Sequence, residues 1–295
     1  MSTYFLEMNK YLVQLHLLII VLAFTGLLGD LISVDAFQLV WYRTFFGAAG
    51  LLIYLILIRK SIQLKAKNLW VYLGIGITIG LHWFCFFHSI QISTISVGVG
   101  CLASTTLFTS ILDPLICRKK IHLHEVFISI LIIIGLYTIF QFETSYTEGI
   151  LYAAASAFFA ALFTVLNKQY VDESDHKTVI TFYEILGACA TLSIIQAFRG
   201  EYEMYQFALS ADDWIYLLIL GLVCTSWAFL INIKLLARLS AFVIVLSYNL
   251  EPIYGILIGA LMGEAMTNGF YIGATIILAS VFIYPILHKR LNKLS

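Results

Sequence analysis

Apolar runs, each near the ~20 residues that cross the hydrocarbon core of a bilayer, follow one another along the whole chain with only short polar breaks between them. They place ten spans near 12–32, 37–58, 69–91, 96–117, 124–142, 149–168, 178–198, 212–236, 240–262 and 268–287. Almost nothing remains between them for a soluble domain. The first run, "LVQLHLLIIVLAFTGLLGDLIS", follows a lone Lys10 and lacks a small-x-small cleavage signal, so it is read as a retained span.

Composition agrees with this pattern. Hydrophobic residues make up 61% of the chain, charged residues 12%, and mean hydropathy is +0.94. Soluble domains carry roughly a quarter charged residues, so this chain cannot cover a soluble surface. Net charge is zero, but its distribution is uneven. Alternate connections hold Lys10, Arg59 to Lys67, Arg118 to Lys120, Lys168 and Lys177, Lys234 and Arg238, and Lys289 to Lys293, which is 15 of the 17 basic residues. The opposite connections hold Arg199 with acids such as Asp35, Glu148, Asp212 and Asp213. The positive-inside rule therefore places both termini in the cytoplasm of a multi-pass protein of the cell (inner) membrane. No basic block suits nucleic acid. The five cysteines show no ligand spacing, so no disulfide, metal or cofactor is expected.

The chain also matches itself at an offset of 144 residues: "WVYLGIGITIGLHW" (70–83) lies over "WIYLLILGLVCTSW" (214–227). Trp70 meets Trp214 and Trp83 meets Trp227. Span three thus corresponds to span eight, and each half has five spans. An odd number makes the second copy enter the membrane from the other side. The expected fold is all-α, ten transmembrane helices forming two inverted five-helix repeats, residues 1–145 and 146–295, around a central cavity. Inverted duplication suits a transporter, because exchanging the conformations of the two halves turns an inward opening into an outward one.

"LASTTLFTSILDPL" (102–115) in span four and "LEPIYGILIGALMGEAMT" (250–267) ending span nine resemble the EamA branch of the drug/metabolite transporter superfamily, and the resemblance covers essentially the whole chain. It implies a basket of ten helices whose cavity is lined mainly by spans one, three, four, six, eight and nine. It also implies movement of amino acids or similar metabolites, usually outward. The first half departs from the pattern: Phe108 stands where Pro252 does, and Lys120 where Glu264 does. Its proline comes later, in Asp113-Pro114, so the two halves are expected to bend differently.

Glu251 lies near the middle of span nine, beside Pro252, whose missing N–H deprives the Tyr248 carbonyl of its helical partner. Irregular backbone at that depth is tolerated only against protein or a wet cavity. Ser247, Tyr248, Glu251 and Tyr254 share a helical face, and Gly255, Gly259 and Gly263 form a ridge for close helix approach. Glu251 either lines the cavity, meeting a cationic group or taking a proton, or is a structural hydrogen-bonded carboxyl. The first is preferred because ionisable groups inside spans are functional by default.

Arg43 either pairs with Asp30 or reaches the cavity to hold a carboxylate, and Glu184 is expected to pair with Lys234. In span three, His82 and His88 diverge by about 120° and form no metal pair, while Trp83 and Trp227 make a symmetric aromatic pair suited to an apolar or cationic substrate. Thr106 and Ser110 share a face of span four with Asp113, which is expected to pair with Arg118. "IHLHE" (121–125) is not HExxH and has no third ligand nearby in sequence, so a metal is not expected there.

Together these features favour a secondary-active transporter of a small metabolite, most simply an amino-acid exporter, with protons as a candidate coupling ion. No nucleotide-binding loop of G-x-x-x-x-G-K-[ST] form occurs. The alternatives are a nucleoside-type exchanger and a membrane-embedded enzyme. The enzyme would need a nucleophile with its base, paired carboxylates or a metal set, and none is visible, so the chain is read as not an enzyme.

Overall fold

The structure, a computed structural model, describes residues 2–140, 146–171, 174–199, 209–254 and 268–291. The glycine ridge at 255, 259 and 263, and Glu264 of the motif, lie outside the described residues. Eight helices are long and apolar enough to cross a membrane, and two shorter apolar ones, Leu123–Ile139 and Ala241–Tyr254, stand where spans five and nine are expected.

The helices are α1 (Ser2–Leu31), α2 (Ala36–Leu57), α3 (Ala66–Ile92), α4 (Ile95–Cys101), α5 (Ser104–Cys117), α6 (Leu123–Phe140), α7 (Thr147–Tyr170), α8 (Lys177–Arg199), α9 (Ala211–Gly221), α10 (Ala228–Leu236), α11 (Ala241–Tyr248) and α12 (Asn268–Leu291). Short polar residues start four of them. Asp35 accepts from the Phe37 and Gln38 amides, Thr94 from Val97, Ser210 from Asp213 and Ser240 from Val243, each satisfying donors that a helix N-terminus leaves open.

Three spans depart from a regular α-helix. Span four breaks between α4 and α5 at Leu102–Ala103, and span nine breaks after α11 before turning helical again over 251–254. Span eight stays continuous but widens into a π-helical segment, Leu222–Trp227, between α9 and α10. The absence of a proline at the position matching Pro252 does not keep span four unbroken, whereas the π segment of span eight has no counterpart in span three. Span four breaks without a proline, next to Gly98 and Gly100, while Pro114 sits inside α5. Glycines weaken a helix interior, and that suffices here.

Helix neighbours repeat with the duplication. Span three packs on seven as eight packs on two, and three on six as eight on one. Spans two and seven, four and nine, and five and ten meet their own equivalents. These pairs run antiparallel, as inversion requires. Along α2 and α8, Trp41 Nε1 donates to Ser193 Oγ at 2.9 Å, whereas Gly47 lies against Ile185. Along α6 and α12, His124 meets His288 at one end and Gly135 meets Ile277 further on.

Without a hydrophobic drive between helices in lipid, close backbone approach carries much of the packing. A Cβ at Gly187 would stand 2.6 Å from the Leu73 carbonyl oxygen, and one at Gly221 would stand 2.7 Å from Phe46 Cβ. Polar ties close the two ends. Asp213 accepts from the Ser33 amide at 2.9 Å and its hydroxyl at 2.7 Å. At the other end Lys168 Nζ donates to the Leu236 carbonyl at 2.7 Å, and Asp175 accepts from Asn68 and Tyr72.

Candidate functional site

A cavity of about 960 Å³, counting the space at its mouth, lies among the spans. All six expected spans line it: one, three, four, six, eight and nine. Arg43 of α2 and Leu136 of α6 reach it as well. Its walls are mostly apolar, with polar groups at a few points.

Arg43 is 1% exposed, yet it forms no ion pair among the described residues, and Asp30 is exposed. Of the two alternatives for Arg43, the structure shows the one in which it reaches the cavity, the side chain turning inward and away from Asp30. Its Nε donates to Thr225 Oγ1 at 3.1 Å, Nη2 makes a long 3.5 Å contact to the Cys224 carbonyl, and Nη1 has no partner. The guanidinium carbon stands 4.0 Å over the Trp83 ring centre and 5.3 Å from that of Phe87. Stacking on an aromatic face stabilises a desolvated guanidinium by about 2 kcal/mol, while Nη1 stays buried without a partner among the described residues.

The π segment builds this seat. Widening the turn moves backbone donors away from their usual carbonyls, and hydroxyls fill in. Thr225 Oγ1 donates to Leu220 O at 2.8 Å, and Ser226 Oγ bonds to Gly221 O at 3.0 Å and Gly47 O at 2.8 Å. Thr225 thus receives Arg43 while tying down its own helix. Single π turns recur at functional positions in helices.

Glu251 and Pro252 line the same cavity, and the Glu251 carboxylate makes no hydrogen bond among the described residues. Tyr248, one turn earlier, also lines it and donates from its hydroxyl to Asn232 Oδ1 at 2.7 Å. The Asn249 amide nitrogen lies 3.1 Å from the carbonyls of both Val245 and Leu246, and 2.8 Å from Thr106 Oγ1 of α5. One amide therefore caps the broken end of α11 and joins the two interrupted spans.

His82 and Trp83 line the cavity, as expected. His82 Nδ1 lies 2.8 Å from Ser156 Oγ and 3.0 Å from the Ser156 carbonyl, fastening α3 to α7. Trp83 meets Phe229 edge-on at 4.9 Å. Trp227 does not join it. It is 39% exposed on the outer surface and is absent from the cavity wall. The π segment explains this: its extra residue turns positions at offset 144 by about 100° relative to the cavity beyond it. Ala228, one residue on, lines the wall instead.

Three further expectations are placed elsewhere. His88 is outside the cavity, stacked on Phe84 and edge-on to Tyr152. Thr106 lies just behind the wall, where Thr105 is the lining residue, and Ser110 is buried, donating to the Leu107 carbonyl of its own helix. Two pairings are corrected. Asp113 pairs with Lys119 at 3.3 Å in place of Arg118, which ends α5 with a left-handed backbone (φ 53°) that carries it away. Glu184 is fully buried with both oxygens unpartnered among the described residues, while Lys234 is exposed.

Broken spans around a cavity that holds an arginine and a glutamate, in an all-helical multi-pass protein, are features of membrane transporters. Comparison of the sequence with family models agrees: the EamA-like transporter family, part of the drug/metabolite transporter superfamily, matches twice, over residues 10–141 and 147–284. The chain belongs to that family. No curated protein matches it. A solved structure described as the crystal structure of a protein is similar at 17% identity, with a TM-score of 0.76 over 96% of this chain and 99% of its own, a likeness of fold.

Proposed function

We propose that this protein carries a small zwitterionic metabolite, an amino acid or a close relative, outward across the cell membrane by alternating access. The observation that carries this reading is the presence of both Arg43 and Glu251 in the wall of one cavity, each with hydrogen-bonding capacity unused among the described residues. A guanidinium fork suits a carboxylate. Glu251 then meets the ammonium group, or takes a proton when the site is empty, which links flux to a proton gradient. The aromatic rings of Trp83, Phe163 and Phe229 accommodate the apolar remainder of the substrate.

The moving units are the two halves, residues 1–145 and 146–295, rocking about the antiparallel pairs described above. The broken spans four and nine meet at Asn249 and Thr106, where a small change of tilt opens one side of the cavity. The distribution of Lys and Arg supports cytoplasmic termini.

A hydrolytic reading has one observation to consider, the Ser156–His82 contact. It argues against itself: Ser156 is fully buried, and its hydroxyl is also 3.0 Å from the His82 carbonyl, so it presents no nucleophile to the cavity.

The test is a thermal-shift screen of metabolites on purified protein, followed by flux in proteoliposomes with and without a proton gradient. Zwitterionic amino acids are expected to stabilise the protein and to move. Equal transport of esters or amides lacking the carboxylate removes Arg43 from the proposed role.

A further inference from the structure

We propose that His124, Glu125 and His288 form a binding site for a divalent d-block cation, zinc being the best fit, that fastens the start of α6 to the end of α12. Sequence spacing excluded a metal at "IHLHE" because no third ligand stood nearby. The antiparallel packing of α6 on α12 supplies it from 164 residues further along.

The geometry is close to a coordination shell. His124 Nε2 lies 3.1 Å from His288 Nδ1, His288 Nδ1 lies 3.8 Å from Glu125 Oε1, and the three ligand atoms all fall within 4.8 Å of one another. Ligands at 2.0–2.1 Å from a tetrahedral zinc are separated by roughly 3.3 Å, so the groups need only sub-ångström to ångström adjustments. Two imidazoles and one carboxylate are a donor set that zinc favours, with a fourth position for water or another ligand. The His122 ring stands beside the set, 5.3 Å from that of His124 and 5.8 Å from that of His288.

A supporting shell is already in place. Tyr284, one turn before His288, donates to Glu125 Oε1 at 2.8 Å, which fixes the carboxylate. Such outer hydrogen bonds orient ligands and raise affinity. The site also lies at the C-terminal end of α12, where unpaired carbonyls favour a cation. Lys119, a positive charge shortly before α6, is held by Asp113 at 3.3 Å. The apolar alternative is a plain hydrogen bond between His124 and His288, which needs one protonated and one bare nitrogen and no ion.

The two readings separate in a binding experiment on full-length, untagged protein in detergent, stripped with chelator and titrated with zinc or cobalt(II) chloride. One saturable equivalent per chain is expected, with the visible absorption of tetrahedral cobalt and a rise in thermal midpoint. H124Q and H288Q should each weaken binding roughly tenfold or more. E125Q, which keeps the shape of the side chain, is measured alongside in case an imidazole variant does not fold. Absence of saturable binding, or wild-type affinity in the folded variants, overturns the proposal. None of these readouts depends on transport.

Discussion

The Arg43 guanidinium carbon sits 4.0 Å above the ring centre of Trp83, and its Nη1 has no hydrogen-bond partner among the described residues. A buried cation with one open donor edge costs several kcal/mol unless something pairs with it, and the aromatic face offsets only part of that. Under the proposed function, the substrate carboxylate supplies that partner. Arg43→Lys keeps the charge but loses the fork and the stacking. KM for a zwitterionic substrate should rise about tenfold or more, a change of ~1.4 kcal/mol, with little change for substrates lacking a carboxylate. Proteoliposome kinetics read both.

Glu251→Gln removes the ionisable group and keeps its shape. The folded protein should lose transport or, where flux survives, its dependence on pH. Normal, normally pH-dependent flux in this variant takes Glu251 out of the site.

Trp83 and Trp227 occupy equivalent places in the duplicated sequence and different places in space. Trp83→Ala should impair transport, since it removes the seat of Arg43. Trp227→Leu should leave transport within about twofold of wild type, as exposed substitutions cost little. A matched loss in both variants contradicts the wall as drawn.

Asn249→Leu deletes the amide that reaches Val245, Leu246 and Thr106. Leaving buried carbonyls unpaired costs about 1–3 kcal/mol, so the thermal midpoint should fall. Replacing Thr106 by Val in the same background should add little, because the link is already cut.

Gly187→Ala forces α8 away from α3, against the Leu73 carbonyl. The expected cost is about 1–3 kcal/mol from overpacking, seen as a lower thermal midpoint with the same substrate preference. An unchanged midpoint argues that the crossing is looser than described.

Much of this was legible in residue order. Apolar run length and basic alternation located the spans, and the expense of a carboxylate beside a proline pointed to Glu251. Arg43, His82, Trp83 and Tyr248 also reached the wall. What stayed hidden depended on register or on distant partners. One extra residue in a π turn moved Trp227 to the surface, and no periodicity argument detects that. Arg43 found Thr225 and Cys224 in place of Asp30, and Asp113 found Lys119 because the backbone reversed at Arg118. Asn232 and Asn249 were passed over, although an amide in an otherwise apolar run was itself the clue. His288 became a neighbour of His124 only through the pairing of helices far apart in sequence.

The additional residue in the wall of span eight has no counterpart at the α-helical Trp83 end of span three. On the alternating-access cycle proposed above, the two copies would therefore not trade places as perfect images, and the two gates are expected to differ in energy. Such a cycle would favour one resting posture before any solute arrives and, with it, one side for loading.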